Sequence, residues 1–122
     1  MTTHQEIWRQ NLARSRQQLL ALLHALEPAQ WDAPVFSENA DWTVTTVISH
    51  LIDAERGMSI QVHKIRKGEP TVPEGFDIER WNAGVKKRLG NLTPSELLAN
   101  LESTRAKTLE GLDSLQDAEW AL

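Results

Sequence analysis

Trp42-Thr-Val-Thr-Thr-Val-Ile-Ser-His50-Leu-Ile-Asp-Ala-Glu55-Arg-Gly-Met58 carries the clearest helical period in the chain. Val44, Val47, Ile48, Leu51, Glu55, Met58, Val62 and Ile65 recur at spacings of three and four, the signature of one helix face, and predict a helix over about 43–67. Such spacings suit near-parallel packing in a bundle. Gly68, Pro70, Pro73 and Gly75 then break the pattern.

Helical patterns also flank this segment. Upstream, Trp8, Leu12, Leu19, Leu22, Leu23 and Leu26 gather on one side of a helix over about 3–26, which Pro28 ends; the loop from Glu27 to Asp41 connects it to the second helix. Downstream, Asp77 can cap a helix over 78–89 with Trp81, Val85 and Leu89 on one face. Thr93-Pro94-Ser95-Glu96 combines a capping box with proline at the first helical position and starts a leucine-rich helix over about 94–115. No segment alternates with period two, so the fold class is all-α.

Composition limits the function classes. With 122 residues, 40% of them hydrophobic, the chain has the size of a single domain, 1–122. It contains no cysteine, which removes disulfide frameworks, zinc knuckles and thiol nucleophiles; any metal must be held by His, Asp or Glu. The net charge of −4, with no basic run longer than Lys86-Lys87-Arg88, offers no footprint for a phosphate backbone, and nucleic acid is not an expected partner. The start lacks a signal-peptide pattern and no apolar stretch approaches the roughly 20 residues that span a bilayer, so the expected location is cytoplasmic, with no membrane contact.

An offset of 89 positions aligns residues 11–31 with 100–120. Asn11, Leu12, Arg16, Leu20, Leu23, Leu26, Ala29 and Trp31 meet the same residue types at 100, 101, 105, 109, 112, 115, 118 and 120. Periodic leucines alone inflate such a match, but the Arg and Trp pairs argue for a repeat. In the first copy, Trp31 leads through a loop into the helix bearing His50; in the second, Trp120 is followed by Ala121 and Leu122. The expectation is a four-helix bundle whose last helix is missing, either because the sequence is a C-terminally truncated fragment or because the helix has been lost.

His50 falls about 110° from the centre of its helix's apolar stripe, at a core boundary, with the small Ala54 and Gly57 along the same edge. Neutral imidazole is a common ligand for Zn, Ni and Fe, but one histidine is not a site, and no His-x-x-x-His pair is present. Glu55 lies within about 30° of the stripe's centre, where a carboxylate must be paired, protonated or metal-bound. Arg105 falls inside the leucine stripe of the last helix, which points to a buried Glu55–Arg105 ion pair in preference to a catalytic acid. Asp53 reads as a solvated residue one turn from His50, and His4, His24 and His63 cannot join His50 in one intrahelical site. The five tryptophans read as anchors of loops and helix ends.

The segment Trp42-x-Val-x-x-x-x-x-His50-Leu-x-x-x-Glu55 resembles the DinB-like superfamily, which includes mycothiol-dependent maleylpyruvate isomerase N-terminal domains and bacillithiol transferases. The resemblance extends through Leu26-Glu-Pro-Ala-Gln-Trp31, Phe76-Asp-Ile-Glu-Arg-Trp-Asn82 and the Leu98, Leu101, Arg105, Leu112, Leu115, Trp120 series. It implies a four-helix bundle in which His50 is one of typically three ligands of a divalent metal, Zn or Ni. The other two, commonly a His-x-x-x-His pair, belong to a last helix that this sequence does not contain, so the implied ligand set is incomplete here.

The function implied is metal-dependent transfer or isomerisation with a low-molecular-weight thiol, inactive if the ligand set stays incomplete. The alternative is a non-catalytic module, dimerising or binding a small molecule, whose open face of Val44, Leu51, Met58, Leu101 and Leu112 is covered by a second copy.

Overall fold

Three threonines start the three long helices. The side chains of Thr3, Thr43 and Thr93 accept the backbone N–H of Glu6, Thr46 and Glu96, and each of those residues returns a side-chain oxygen to the N–H of its threonine. These caps satisfy donors that a helix start leaves without partners. The structure, a computed structural model, describes residues 3–35 and 41–121. Part of the Glu27–Asp41 loop, 36–40, lies outside the described residues, as does Leu122.

The elements run α1 His4–His24, a 3-10 turn Pro28–Asp32, β1 Pro34–Val35, β2 Trp42–Thr43, α2 Val44–Arg66, α3 Ile78–Leu89, α4 Pro94–Asp113 and a second 3-10 turn Asp117–Ala121. Asp77 caps α3, its Oδ1 accepting the N–H groups of Glu79 and Arg80. The fold is all-α, a helical bundle. Among the described residues the one sheet is the antiparallel two-residue pair β1–β2, in which Pro34 faces Thr43 and Val35 faces Trp42. Two residues are too few for period-two alternation to register in the sequence. Together with a bond from the Val44 N–H to the Ala33 carbonyl, the pair delivers the chain to the start of α2.

α4 packs against both α1 and α2, while α3 packs against α2. The core is Leu23, Trp31, Ile48, Ile52, Val85, Leu89, Leu97 and Leu101. All eight come from the C-terminal end of α1 and its turn, the first half of α2, α3, and the first half of α4, so the apolar core occupies one end of the bundle. Past Glu55, Met58, Val62 and Ile65 are exposed.

Two expectations change here. Leu101, expected on an open face, is fully buried, and Val44 packs partly against the core. The reason is that α2 has neighbours on two sides: Ile48, Ile52 and Glu55 are buried, Asp53 is turned to α3, and Leu51, Met58, Val62 and Ile65 of the expected stripe are left outside. Of the five tryptophans only Trp31 is a buried anchor; Trp8, Trp81 and Trp120 are exposed and Trp42 is half-buried.

Candidate functional site

His50 lies half-buried in the second turn of α2, its ring stacked on the indole of Trp42 with centroids 4.3 Å apart and planes 20° from parallel. The β1–β2 pair holds Trp42 just before the Thr43 cap, nearly two helical turns ahead of the histidine, which makes this stacking possible. Beside His50 opens a cleft of about 810 Å³ between α2 and the segment 71–82. Ala54 and Gly57 keep its floor low, Val72, Phe76, Ile78 and Trp81 form its apolar wall, and Gln61 and Lys64 add polar groups. The Gln61 side-chain oxygen is buried with no hydrogen-bond partner among the described residues.

Asp53, also in the cleft wall, is not the solvated residue that its sequence position suggested. It is 7% exposed, accepts the Trp81 indole N–H at 2.8 Å on Oδ2, and receives the Arg88 Nε and Nη2 donors at 3.1 Å each. Arg88 in turn lies 4.6 Å over the Trp81 ring. Gly84 leaves room for this, since a Cβ there would stand 2.5 Å from Arg88 Nη1. Asp53 therefore fixes α3 and the cleft wall. Burial pushes the His50 imidazole below its ordinary value; Asp53 opposes that shift and Arg88 adds to it. The shift favours the neutral ring, a state that can accept a hydrogen bond or bind a metal.

A second polar centre lies one turn further along α2. Glu55, 7% exposed, forms the expected pair with Arg105, Nη2 to Oε1 at 2.7 Å and Nε to Oε2 at 2.9 Å. Two partners were not expected: Arg16 Nη2 donates to Oε1 at 2.7 Å and Thr108 Oγ1 to Oε2 at 2.6 Å. Burial alone would raise the carboxyl, but the bonds from Arg105 and Thr108 and the two guanidinium charges hold it below the usual range. Arg16 is lowered by burial and by Arg105, against the pull of Glu55. The cluster ties α1, α2 and α4 together and adjoins a separate cavity of about 430 Å³ walled by Leu12, Met58, Val62, Leu112 and Leu115.

Among the described residues no three His, Asp or Glu side chains stand together in a way that could hold an ion. The nearest acid on the helix, Asp53, has both oxygens committed to Arg88 and Trp81. The residues present thus do not by themselves fit a divalent metal, and His50 supplies a single donor. No helix among the described residues is long and apolar enough to cross a membrane. The sequence pattern missed the Asp53–Trp81–Arg88 group because its members are 28 and 35 positions apart, but the repeat had already paired Arg16 with Arg105.

The sequence profile of the mycothiol maleylpyruvate isomerase N-terminal domain family matches residues 12–122. No curated protein sequence matches the chain. Among solved structures, a crystal structure of an uncharacterized protein from Streptococcus agalactiae superposes with a TM-score of 0.74 at 14% identity, covering 93% of this chain and 68% of that one. At that identity the likeness is one of fold.

Proposed function

This chain belongs to the mycothiol maleylpyruvate isomerase N-terminal domain family, and we propose that it is a ligand-binding helical domain whose working site is the His50 cleft. The observation that carries this is a neutral, Trp42-stacked imidazole beside an apolar cleft whose wall is held by the Asp53–Trp81–Arg88 group. Such a cleft fits a small molecule with an apolar body and a polar group that meets His50.

A low-molecular-weight thiol is the ligand class that family membership favours, and thiol-dependent transfer or isomerisation is the corresponding reaction class. His50 is the residue that would contribute to a Zn or Ni centre, with the remaining ligands supplied by an element packed against the exposed Leu51–Met58 edge of α2. No step of a reaction is assigned to these residues alone. A cytoplasmic location accords with this reading.

N-acetylcysteine, a simple thiol carrying a carboxylate and an amide, tests it. In a two-dimensional NMR titration the expected shifts fall on the Trp81 indole N–H, the His50 ring and the amides of Ala54 and Gly57, and they vanish in His50→Ala. Shifts confined to the Leu112–Leu115 cavity, or unchanged in His50→Ala, would overturn the reading.

A second reading rests on the apolar edge of Leu51, Met58, Val62 and Ile65 left exposed along α2. A homodimer burying that edge would serve a non-catalytic interaction module.

A further inference from the structure

The floor of the His50 cleft is a single stripe of α2. His50, Ala54, Gly57, Gln61 and Lys64 follow one another at spacings of four, three, four and three, the repeat that keeps residues on one helix face, and all five line the cleft. The stripe is ionisable at its two ends and small in its middle. A Cβ added at Gly57 would meet no atom within 4 Å, so the space over the centre of the stripe is open. Val72, Phe76 and Trp81 stand across it, each an exposed apolar surface.

The charges of the cleft are unequal. His50, Asp53 and Lys64 are its ionisable lining residues, and both Asp53 oxygens are taken by Trp81 and Arg88. Of the basic residues in the last turn of α2, Arg66 is engaged by Glu119 and Ser114, and His63 lines the separate Leu112–Leu115 cavity. Lys64 lines the His50 cleft and makes no ion pair among the described residues. Attraction to the C-terminal end of α2 accounts for a cation in this turn, but not for its side of the helix.

We propose that the cleft is selective for a linear monocarboxylate of medium chain length with a thiol at its far end, the carboxylate on Lys64, the chain over Ala54 and Gly57, and the thiol at His50. This rests on the reading of the cleft as the working site. The two ends of the stripe are 14 residues apart, about 21 Å at the rise of an α-helix. Helix side chains lean toward the N-terminus, so the four-carbon stem of Lys64 carries its ammonium back to on the order of 15 Å from His50. A hydrogen bond of about 3 Å at each end leaves a body the length of roughly an eight-carbon chain. One unpaired cation matches one carboxylate, and a second would lie on the apolar wall, losing water without gaining a partner. N-acetylcysteine is too short to reach both ends.

The probes are ω-mercaptooctanoate and the uncharged ω-mercaptooctanol, titrated separately into the 122-residue chain under reducing conditions, with the Trp81 indole N–H and the Gly57 amide as NMR readouts. The acid is expected to bind at least fivefold more tightly than the alcohol at low salt, a preference that shrinks as salt is added. Lys64 is half-buried without an ionic partner, so its substitution removes no ion pair that holds the fold. Lys64→Arg keeps the preference, and in Lys64→Met the acid and the alcohol bind alike. Gly57→Leu, whose side chain fills the open space over the stripe, weakens both at least tenfold. Equal affinity of acid and alcohol for the unaltered chain, or a preference that persists in Lys64→Met, would overturn the inference and leave the cleft as the working site. Failure of both compounds to move the Trp81 and Gly57 signals would overturn the two together.

Discussion

Arg16 and Arg105, 89 positions apart, place Nη2 on the same oxygen, Oε1 of Glu55, each at 2.7 Å. One buried carboxylate thereby locks three helices, at the point where the apolar core ends and the open half of the bundle begins. Its partners come from α1 and α4, so the carboxylate sets the register of both helices against α2.

Glu55→Ala strands two guanidinium groups in a buried site. The expected loss is about 3–5 kcal/mol of unfolding free energy, read by urea denaturation. A loss below about 1 kcal/mol would show that the cluster does not hold the helices together.

Acid sensitivity follows from the same group. Because the folded-state carboxyl lies below its ordinary value of 4.5, its contribution is complete above that value and is lost as pH falls through the lowered folded one. The acid limb of the stability curve should therefore flatten in Glu55→Gln relative to the unaltered protein, with both compared by urea midpoint from pH 6 downward. His50 is also lowered, so its contribution is complete above 6.5 and declines as pH drops below that value.

Asp53→Ala removes the acceptor shared by Trp81 and Arg88. Hydrogen bonds to a charged group are each worth about 1.5–3 kcal/mol, and with Arg88 and Trp81 both free to find water the net loss is expected near the lower figure. The more direct readout is the Trp81 indole N–H resonance, which should move to a solvent-exposed position and exchange faster while the Trp31 indole is unaffected.

His50→Ala separates function from stability. The ring is half-buried and its one strong contact is the stack on Trp42, so the expected cost is about 0.5–1.5 kcal/mol. Ligand binding in the cleft should be lost at the same time, measured by the N-acetylcysteine titration.

The elements that were legible in the sequence are those governed by local chemistry. The Thr93 capping box, the Asp77 cap and the Pro28 stop lie within a few residues of the helix ends they define. The Glu55–Arg105 pair was legible because a charge inside each of two apolar stripes has few ways to be satisfied. Asp53 was misread because its partners sit on α3, whose placement beside α2 no period within α2 reveals. The same second neighbour misplaced Val62 and Ile65, whose spacing fits the stripe but whose positions lie beyond the reach of the core. For Arg16, the repeat held the information, and only the folded arrangement shows that both arginines converge on one carboxylate.

The claim that His50 marks the working site is tested most directly by titrating Ni²⁺ into the protein at pH 7 and following the ring signals of its four histidines by NMR. With its ring open to the cleft, His50 is expected to show broadening on Ni²⁺ addition that His50→Ala removes while leaving the signals of the other histidines unchanged. Broadening that begins at another histidine and spares His50 would contradict the account.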